Sequence, residues 1–162
     1  AKEEAVAKEE AVAKEEAVAK EEAVAKEELP ASLGLQSSQE MAYKSTLEEL
    51  NVIKKAMASG KPEKVGLNCE LMGAYAGTLK AVDDERVKAL LADATRTCGF
   101  ERPLLISKAA AAAIEETLKK DPEAILLSEC MDLSTALDEL MKAYAEEEEV
   151  KRLKELAVKH CE

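Results

Sequence analysis

Apolar residues between residues 38 and 162 recur every three or four positions, with charged residues between them. This spacing is typical of amphipathic α-helices, because it places the apolar residues on one face. The six glycines and four prolines of the chain are too few for a protein of many turns and short strands. The pattern therefore predicts an all-α fold, a compact helical bundle over 38–162.

Turn and cap signals divide this region into about six helices. The first helix starts with a sequence that fits a capping box, Ser37-Ser38-Gln39-Glu40, and Gly60 and Pro62 end it. The other boundaries fall at Val82-Asp83-Asp84, from Gly99 to Pro103, and at Asp121-Pro122. The residues expected in the core of the first two helices include Met41, Leu50, Ile53, Met72, Tyr75 and Leu79.

The two halves of the region carry similar patterns, which indicates a duplication. When the halves are aligned on Cys98 and Cys161, the segment from Asp84 to Leu90 matches the segment from Glu147 to Leu153 in charged and apolar positions. Chance similarity between helices of low complexity is the alternative. We predict two repeated three-helix units, 38–99 and 100–162.

The first 28 residues consist of four copies of Ala-Lys-Glu-Glu-Ala-Val and part of a fifth. Ala, Lys and Glu favour a helix, and each hexad places a Glu four residues before a Lys, which is a stabilising spacing. The valines spread around such a helix, so a coiled coil is not expected. We predict a charged spacer helix over 1–28, about 42 Å long, and a linker over 29–37. A repeat expansion without a role is the alternative.

None of the four cysteines, Cys69, Cys98, Cys130 and Cys161, belongs to a C-x-x-C motif. This argues against a thioredoxin-type motif and a zinc ribbon, and the even count predicts two disulfides. Cysteines at the open end of a helical hairpin lie side by side, and the turn then falls midway between them. The midpoints are Asp83-Asp84, which is a turn signal, and Ala145-Glu146. We therefore predict the bridges Cys69–Cys98 and Cys130–Cys161.

The second bridge competes with another interpretation. No residue between Met131 and His160 breaks a helix. A straight helix would hold Cys130 and Cys161 about 46 Å apart, whereas a disulfide requires Cα atoms within about 7 Å. The two structures exclude each other, and the sequence leaves both open.

Two disulfides indicate an oxidising compartment. We expect an extracytoplasmic or organelle-lumen location, namely the periplasm, the thylakoid lumen, the intermembrane space or the cell exterior. The chain starts at Ala1 without a methionine, and we expect that a leader peptide has been removed. The alternative is a cytosolic protein with four reduced, buried cysteines.

The formal net charge of −11 repels nucleic acid and anionic membranes. No apolar run approaches the roughly 18 residues of a transmembrane helix. We therefore expect a protein partner, such as a larger membrane-associated complex, with no nucleic acid and no transmembrane segment.

The sequence contains no recognisable catalytic motif. It has one histidine, His160, no Gly-rich phosphate loop and no G-x-S-x-G sequence. His160 and Cys161 lack a third metal ligand at a suitable spacing, and the acidic run from Glu146 to Glu149 lacks the Gly and Asx residues of a calcium loop. We expect no enzyme activity, no cofactor and no metal site.

These expectations favour a structural or interaction protein, a helical extrinsic or scaffold subunit that docks on a larger assembly. The general build is similar to that of small disulfide-bridged helical proteins of the intermembrane space and of extrinsic helical subunits of lumenal complexes, although the cysteine spacings match no named motif. A carrier of a small apolar ligand, lipid or pigment is one alternative. A thiol-based redox sensor is another, and it requires an exposed cysteine of low pKa.

Overall fold

The structure is a computed structural model that describes residues 34–161. The residues from Leu35 onward form one compact unit. The spacer helix predicted over 1–28 and most of the linker predicted over 29–37 lie outside the described residues.

Residues 34–161 are mostly helical and contain no β-strand, which confirms the all-α prediction. The α-helices, in chain order, are α1 (Ser37–Ala58), α2 (Gly66–Leu79), α3 (Glu85–Arg96), α4 (Arg102–Lys120), α5 (Leu127–Met141) and α6 (Glu148–Cys161). A 3₁₀ turn (Pro62–Val65) precedes α2, and a π-helical turn (Thr97–Glu101) joins α3 to α4.

The predicted break between the third and fourth helices is wrong. Arg96 and Arg102, on either side of the π-helical turn, both have right-handed helical torsion angles, and the Arg102 N–H donates to the Thr97 carbonyl five residues earlier. A proline inside an α-helix clashes with the carbonyl four residues before it. In the π-helical turn immediately before Pro103, hydrogen bonds span five residues instead of four. This change of spacing accommodates the proline, so the helix continues. The described residues therefore form five continuous helices instead of six, and two repeated units are not confirmed.

The helix α1 begins one residue earlier than the capping box predicts. Gln36 is the N-cap residue, and its backbone N–H donates to Oε1 of Gln39 at 3.2 Å. Met41, which was expected in the core, is 67% exposed. The residues that α1 does bury are Ala42, Tyr43, Thr46, Leu50 and Ile53. The predicted face is therefore correct in the second half of α1 and displaced near its start.

Buried apolar side chains from α4, α5 and α6, together with the residue that precedes α5, form one core cluster. The cluster comprises Leu104, Ala110, Ala111, Ile114, Leu126, Leu133, Leu137, Leu140, Val150 and Leu153. At its edge the rings of Phe100 and Tyr144 lie 4.7 Å apart between centroids. In the other half, α1 packs chiefly against α2.

Two turns lie where the cysteine positions predict them. Residues 80–84 separate α2 from α3, and Asp84 caps α3 by accepting a hydrogen bond from the Arg86 N–H at 2.8 Å. Residues 142–147 separate α5 from α6. The alternative of one straight helix between Met131 and His160 is therefore wrong.

Candidate interaction surface

The structure contains two disulfides, as predicted. Cys69 in the first turn of α2 bonds to Cys98 in the π-helical turn, with Cα atoms 5.8 Å apart. Cys130 in the first turn of α5 bonds to Cys161 at the end of α6, with Cα atoms 5.5 Å apart. Each bridge closes the open end of a helical hairpin and holds its two arms together.

The helix α2 is the least charged of the described α-helices, since Glu70 is its only charged residue. Its inner side packs against α1 and buries Met72 and Leu79, which are 2% and 0% exposed. The side-chain amide of Asn68 donates to Oε2 of Glu49 on α1 at 2.8 Å. These contacts leave the opposite side of α2 facing solvent.

The outer side of α2 carries mainly apolar residues, with Glu70 as its one charged side chain. Leu67, Leu71 and Tyr75 are 67%, 40% and 37% exposed, and their spacing of four residues places them along one stripe of the helix. Ala74 is exposed beside them. We name these four residues the α2 apolar face. Contiguous exposed apolar surface is typical of interaction sites, and this face lies on a chain whose net charge is −11.

Two exposed glycines lie on the side of α2 away from Leu71 and Tyr75, because each is two residues from one of them along the helix. Gly73 and Gly77 lie about one helical turn apart, and a Cβ atom added to either would meet no other atom within 4 Å. Glycine in a helix interior costs about 0.5–1 kcal/mol relative to alanine. Packing within the domain therefore does not require either glycine.

A second group of exposed apolar residues lies at the start of α5. Ile125, Leu127 and Met131 are 91%, 70% and 62% exposed. The carboxylate of Glu129 lies in the same helical turn, and hydrogen bonds from its own backbone N–H and from the Ser128 hydroxyl hold its pKa below the ordinary value. This group therefore combines apolar side chains with negative charge.

A groove of about 260 Å³ lies between α4 and α6. Ala111 and Ala112, from the run of five alanines, line it on the α4 side, and Leu153 and Leu156 line it on the α6 side. Its charged lining residues are Lys108, Glu115, Glu149 and Arg152. The groove is slightly smaller than the roughly 300 Å³ at which typical ligand pockets begin, and it exists because alanine side chains fill so little of the space between the helices.

The other shifted pKa values within the described residues belong to exposed ion pairs. Side-chain and backbone hydrogen bonds from Arg86 hold the pKa of Asp84 below its ordinary value. Hydrogen bonds and charge interactions with Glu146 and Glu148 raise the pKa of Lys151. Negative side chains at a helix start interact favourably with the helix dipole. These shifts therefore reflect helix ends and do not indicate a catalytic acid or base.

The acidic run from Glu146 to Glu149 spans the end of a turn and the start of α6. Lys151 pairs with Glu146 at 3.1 Å and with Glu148 at 3.7 Å. His160 is partly exposed in the last turn of α6. Between residues 34 and 161, no three His, Cys, Asp or Glu side chains are grouped in a way that could hold a metal ion.

Sequence reasoning missed the α2 apolar face, because it placed Tyr75 in the core. Apolar residues recur on all sides of α2, and a helix of that kind is typically buried. The signal that could have located the face is the single charge of α2 in a chain with 35% charged residues.

Comparisons of the chain with protein-family models, with curated proteins and with solved structures found no match. In the described part of the chain, no helix has both the length and the apolar composition needed to cross a membrane. Function must therefore be inferred from the geometry and chemistry of the chain itself.

Proposed function

We propose that this protein is a non-enzymatic interaction subunit that docks on a larger protein assembly through the α2 apolar face. The observation that carries the proposal is the exposed apolar stripe of Leu67, Leu71 and Tyr75 on a helix that has a single charged residue. Burying such a stripe against a partner contributes about 25 cal/mol for each Å² of apolar surface removed from water. The disulfides are compatible with assembly in an oxidising compartment outside the cytosol.

The partner surface that fits this face is an uncharged, apolar helix of another protein. A charged partner surface would lose its hydration against the face. Glu70 is the only charged residue of α2 that could interact with it. A second copy of the chain fits less well, because two chains of charge −11 repel each other outside this face.

Site-specific photocrosslinking in cells of the natural source tests this proposal. A photoreactive residue in place of Leu71 is expected to give one adduct with another protein. The same residue in place of Val52, which is 49% exposed on α1, is expected to give none. Adding Leu67→Glu to the position-71 probe should abolish the adduct while the circular dichroism spectrum stays unchanged. The absence of any adduct, or an adduct only with a second copy, would contradict the proposal.

A second candidate function is a carrier of a small apolar ligand, which the groove between α4 and α6 favours. An alkyl chain would lie against Ala112, Leu153 and Leu156, with an acidic head group near Arg152. Titration with a fluorescent fatty acid tests this function. Wild-type binding that Ala112→Leu abolishes would support the carrier, and a lack of binding by the wild type would exclude it.

We further propose that the halves 38–99 and 100–162 arose by duplication. In each half a disulfide joins the first turn of one helix to a cysteine 29 or 31 residues later. In each half an interhelical turn also lies midway between the two cysteines. An experimental structure in which α1, α2 and α3 fail to superpose on α4, α5 and α6 would refute this proposal.

A further inference from the structure

We propose that the Cys130–Cys161 disulfide is a redox switch that holds α6 against α4 and α5. Its reduction releases α6 while the remainder of the domain stays folded. The proposal concerns a part of the chain remote in sequence from the α2 apolar face, and it does not depend on docking through that face.

Besides the disulfide, apolar contacts along one face attach α6 to the domain. Val150 and Leu153 are the only buried side chains of α6, with 0% and 6% exposure, and Leu156 and Ala157 pack against the same core cluster while partly exposed. Among the described residues, one ion pair joins α6 to another helix, between Lys108 and Glu149 at 2.7 Å. Both of its side chains are about half exposed, and such pairs contribute little to stability. These apolar contacts and the bond to Cys161 therefore hold this helix in place.

The turn between α5 and α6 does not specify a hairpin by its own sequence. Residues 142–147 contain neither Gly nor Pro, and none of them has a positive φ. The Tyr144 N–H still donates to the Leu140 carbonyl at 2.8 Å, and the Lys151 N–H donates to the Glu147 carbonyl at 3.0 Å. Both bonds span four residues, as in an α-helix. Helical hydrogen bonding is therefore interrupted only briefly between the two helices.

Without the disulfide, the same turn residues can join α5 and α6 into one helix. In that helix the Cα atoms of Cys130 and Cys161 would be about 46 Å apart. In the structure the distance is 5.5 Å. The disulfide thus excludes the extended conformation, which the local sequence otherwise favours.

The Cys69–Cys98 disulfide lacks this property and provides a matched control. Cys98 lies in the π-helical turn, inside the continuous helix that joins α3 to α4. Buried residues lie on both sides of it, with Ala94 before it and Leu104 after it. Opening this bridge frees no helix, although the two bridges span nearly equal lengths of 29 and 31 residues.

The reaction requires a dithiol reductant. One thiolate of the dithiol attacks Sγ of Cys130 or Cys161, and the S–S bond breaks as a mixed disulfide forms. The second thiolate of the reductant then displaces the remaining cysteine thiolate. Cys130 and Cys161 gain two electrons and two protons in total, and the dithiol becomes a disulfide. Both cysteines are half-buried, so part of the bridge is accessible from solvent.

Release of α6 uncovers part of the domain core. The core cluster that contains Val150 and Leu153 also contains Ile114 of α4 and Leu137 and Leu140 of α5. When α6 leaves, apolar side chains of α4 and α5 become exposed. Reduction therefore converts a covered apolar surface into an accessible one.

Hydrogen–deuterium exchange of the full chain, followed by mass spectrometry, tests the switch. In Cys130→Ser/Cys161→Ser, the amides of 148–161 are expected to exchange about tenfold faster or more, because a helix released from its packing frays. The amides of 37–58 should keep their wild-type exchange. In the matched Cys69→Ser/Cys98→Ser variant, the exchange of 148–161 should be unchanged.

Wild-type protein treated with dithiothreitol gives a second readout that requires no substitution. The amides of 148–161 should lose protection before those of 37–58, and reoxidation should restore it. Unchanged exchange of 148–161 in the Cys130→Ser/Cys161→Ser variant would overturn the proposal. Equal acceleration over the whole of 37–161 would also overturn it, because the bridge would then maintain the entire fold.

Discussion

Gly73 and Gly77 make it possible to separate the stability of the domain from its docking. Neither glycine has a positive φ, and a Cβ atom added to either would meet no atom within 4 Å. Alanine at such a site restricts the unfolded chain and favours the helix, so each replacement stabilises a protein by about 0.5–1 kcal/mol. Gly73→Ala/Gly77→Ala should therefore raise the free energy of unfolding by about 1–2 kcal/mol.

Two other glycines provide controls, because replacing them by alanine should change the stability of the domain differently. Gly60 has a φ of +72°, in the left-handed region, so Gly60→Ala should destabilise the domain by about 1–2 kcal/mol. A Cβ atom at Gly66 would lie 3.1 Å from Nη2 of Arg102. The Nε of that arginine donates to the Pro62 carbonyl at 2.9 Å. Gly66→Ala should therefore gain less stability than replacement of either outer glycine.

Urea-induced unfolding with both disulfides intact, followed by circular dichroism, measures these differences. The slope of the free energy against urea concentration should be the same in all variants, since each buries nearly the same surface. The reasoning is refuted if the Gly73→Ala/Gly77→Ala variant is no more stable than the wild type. It is also refuted if Gly60→Ala matches the stability of that variant.

The same double variant tests the role of the glycines in docking. Because Gly73 and Gly77 lie on the side of α2 away from Leu71, the two added methyl groups should leave the yield of the adduct formed through position 71 unchanged. A lower adduct yield in a variant that is more stable than the wild type would contradict docking through the side of Leu67, Leu71 and Tyr75.

Three further predictions use the core and the start of α3. Ile114 is 0% exposed in the core cluster, so Ile114→Ala should lower the free energy of unfolding in urea by about 2–5 kcal/mol; a loss no larger than that of the exposed Val52→Ala would contradict its burial. The Ser107 hydroxyl is buried without a hydrogen-bond partner among the described residues, so Ser107→Ala should raise the free energy of unfolding by about 1 kcal/mol. A decrease in the free energy of unfolding would show that the hydroxyl does have a hydrogen-bond partner. Because Arg86 lowers the pKa of Asp84, the Asp84 carboxylate stabilises the fold above about pH 4, and this contribution disappears as the pH falls through the lowered pKa. Asp84→Asn should weaken the pH dependence of Tm below that value, and an unchanged profile would argue against the interaction.

Two different kinds of sequence information predicted the two interhelical turns. Asp83 and Asp84 form a local turn and cap signal, and Asp84 does cap α3. The turn at 142–147 contains no such signal, and only the positions of Cys130 and Cys161 indicated it. Cysteine spacing carries long-range information that helix periodicity lacks, because a disulfide limits the distance between residues remote in sequence.

The π-helical turn could not be predicted from local signals. Gly99 and Pro103 are residues that commonly end helices, and their spacing indicates a break. In the structure Pro103 and Leu104 are buried, so tertiary packing holds the helix together across the unfavourable residues. Local propensity is a weak influence that tertiary contacts often override.

The α2 apolar face shows a different limit of sequence reasoning. Periodicity identifies which residues of a helix share a side, but it cannot decide between the core and the solvent when both sides are apolar. The structure decides this by packing Met72 and Leu79 against α1, which leaves Leu67 and Leu71 outside. The exposed side therefore became visible only when the position of α1 was known.

The disulfides also contribute to the stability of the fold. On the chain-entropy model, closing loops of 29 and 31 residues stabilises the folded state by about 3–4 kcal/mol per bridge. That is a large share of the roughly 5–15 kcal/mol that separates folded from unfolded domains. If the proposed switch is correct, the hairpin of α5 and α6 depends on its bridge more than the hairpin of α2 and α3 does, because the turn sequence at 142–147 contains no residue that breaks a helix. The same chain should therefore keep this hairpin in an oxidising compartment and lose it first where dithiols are abundant.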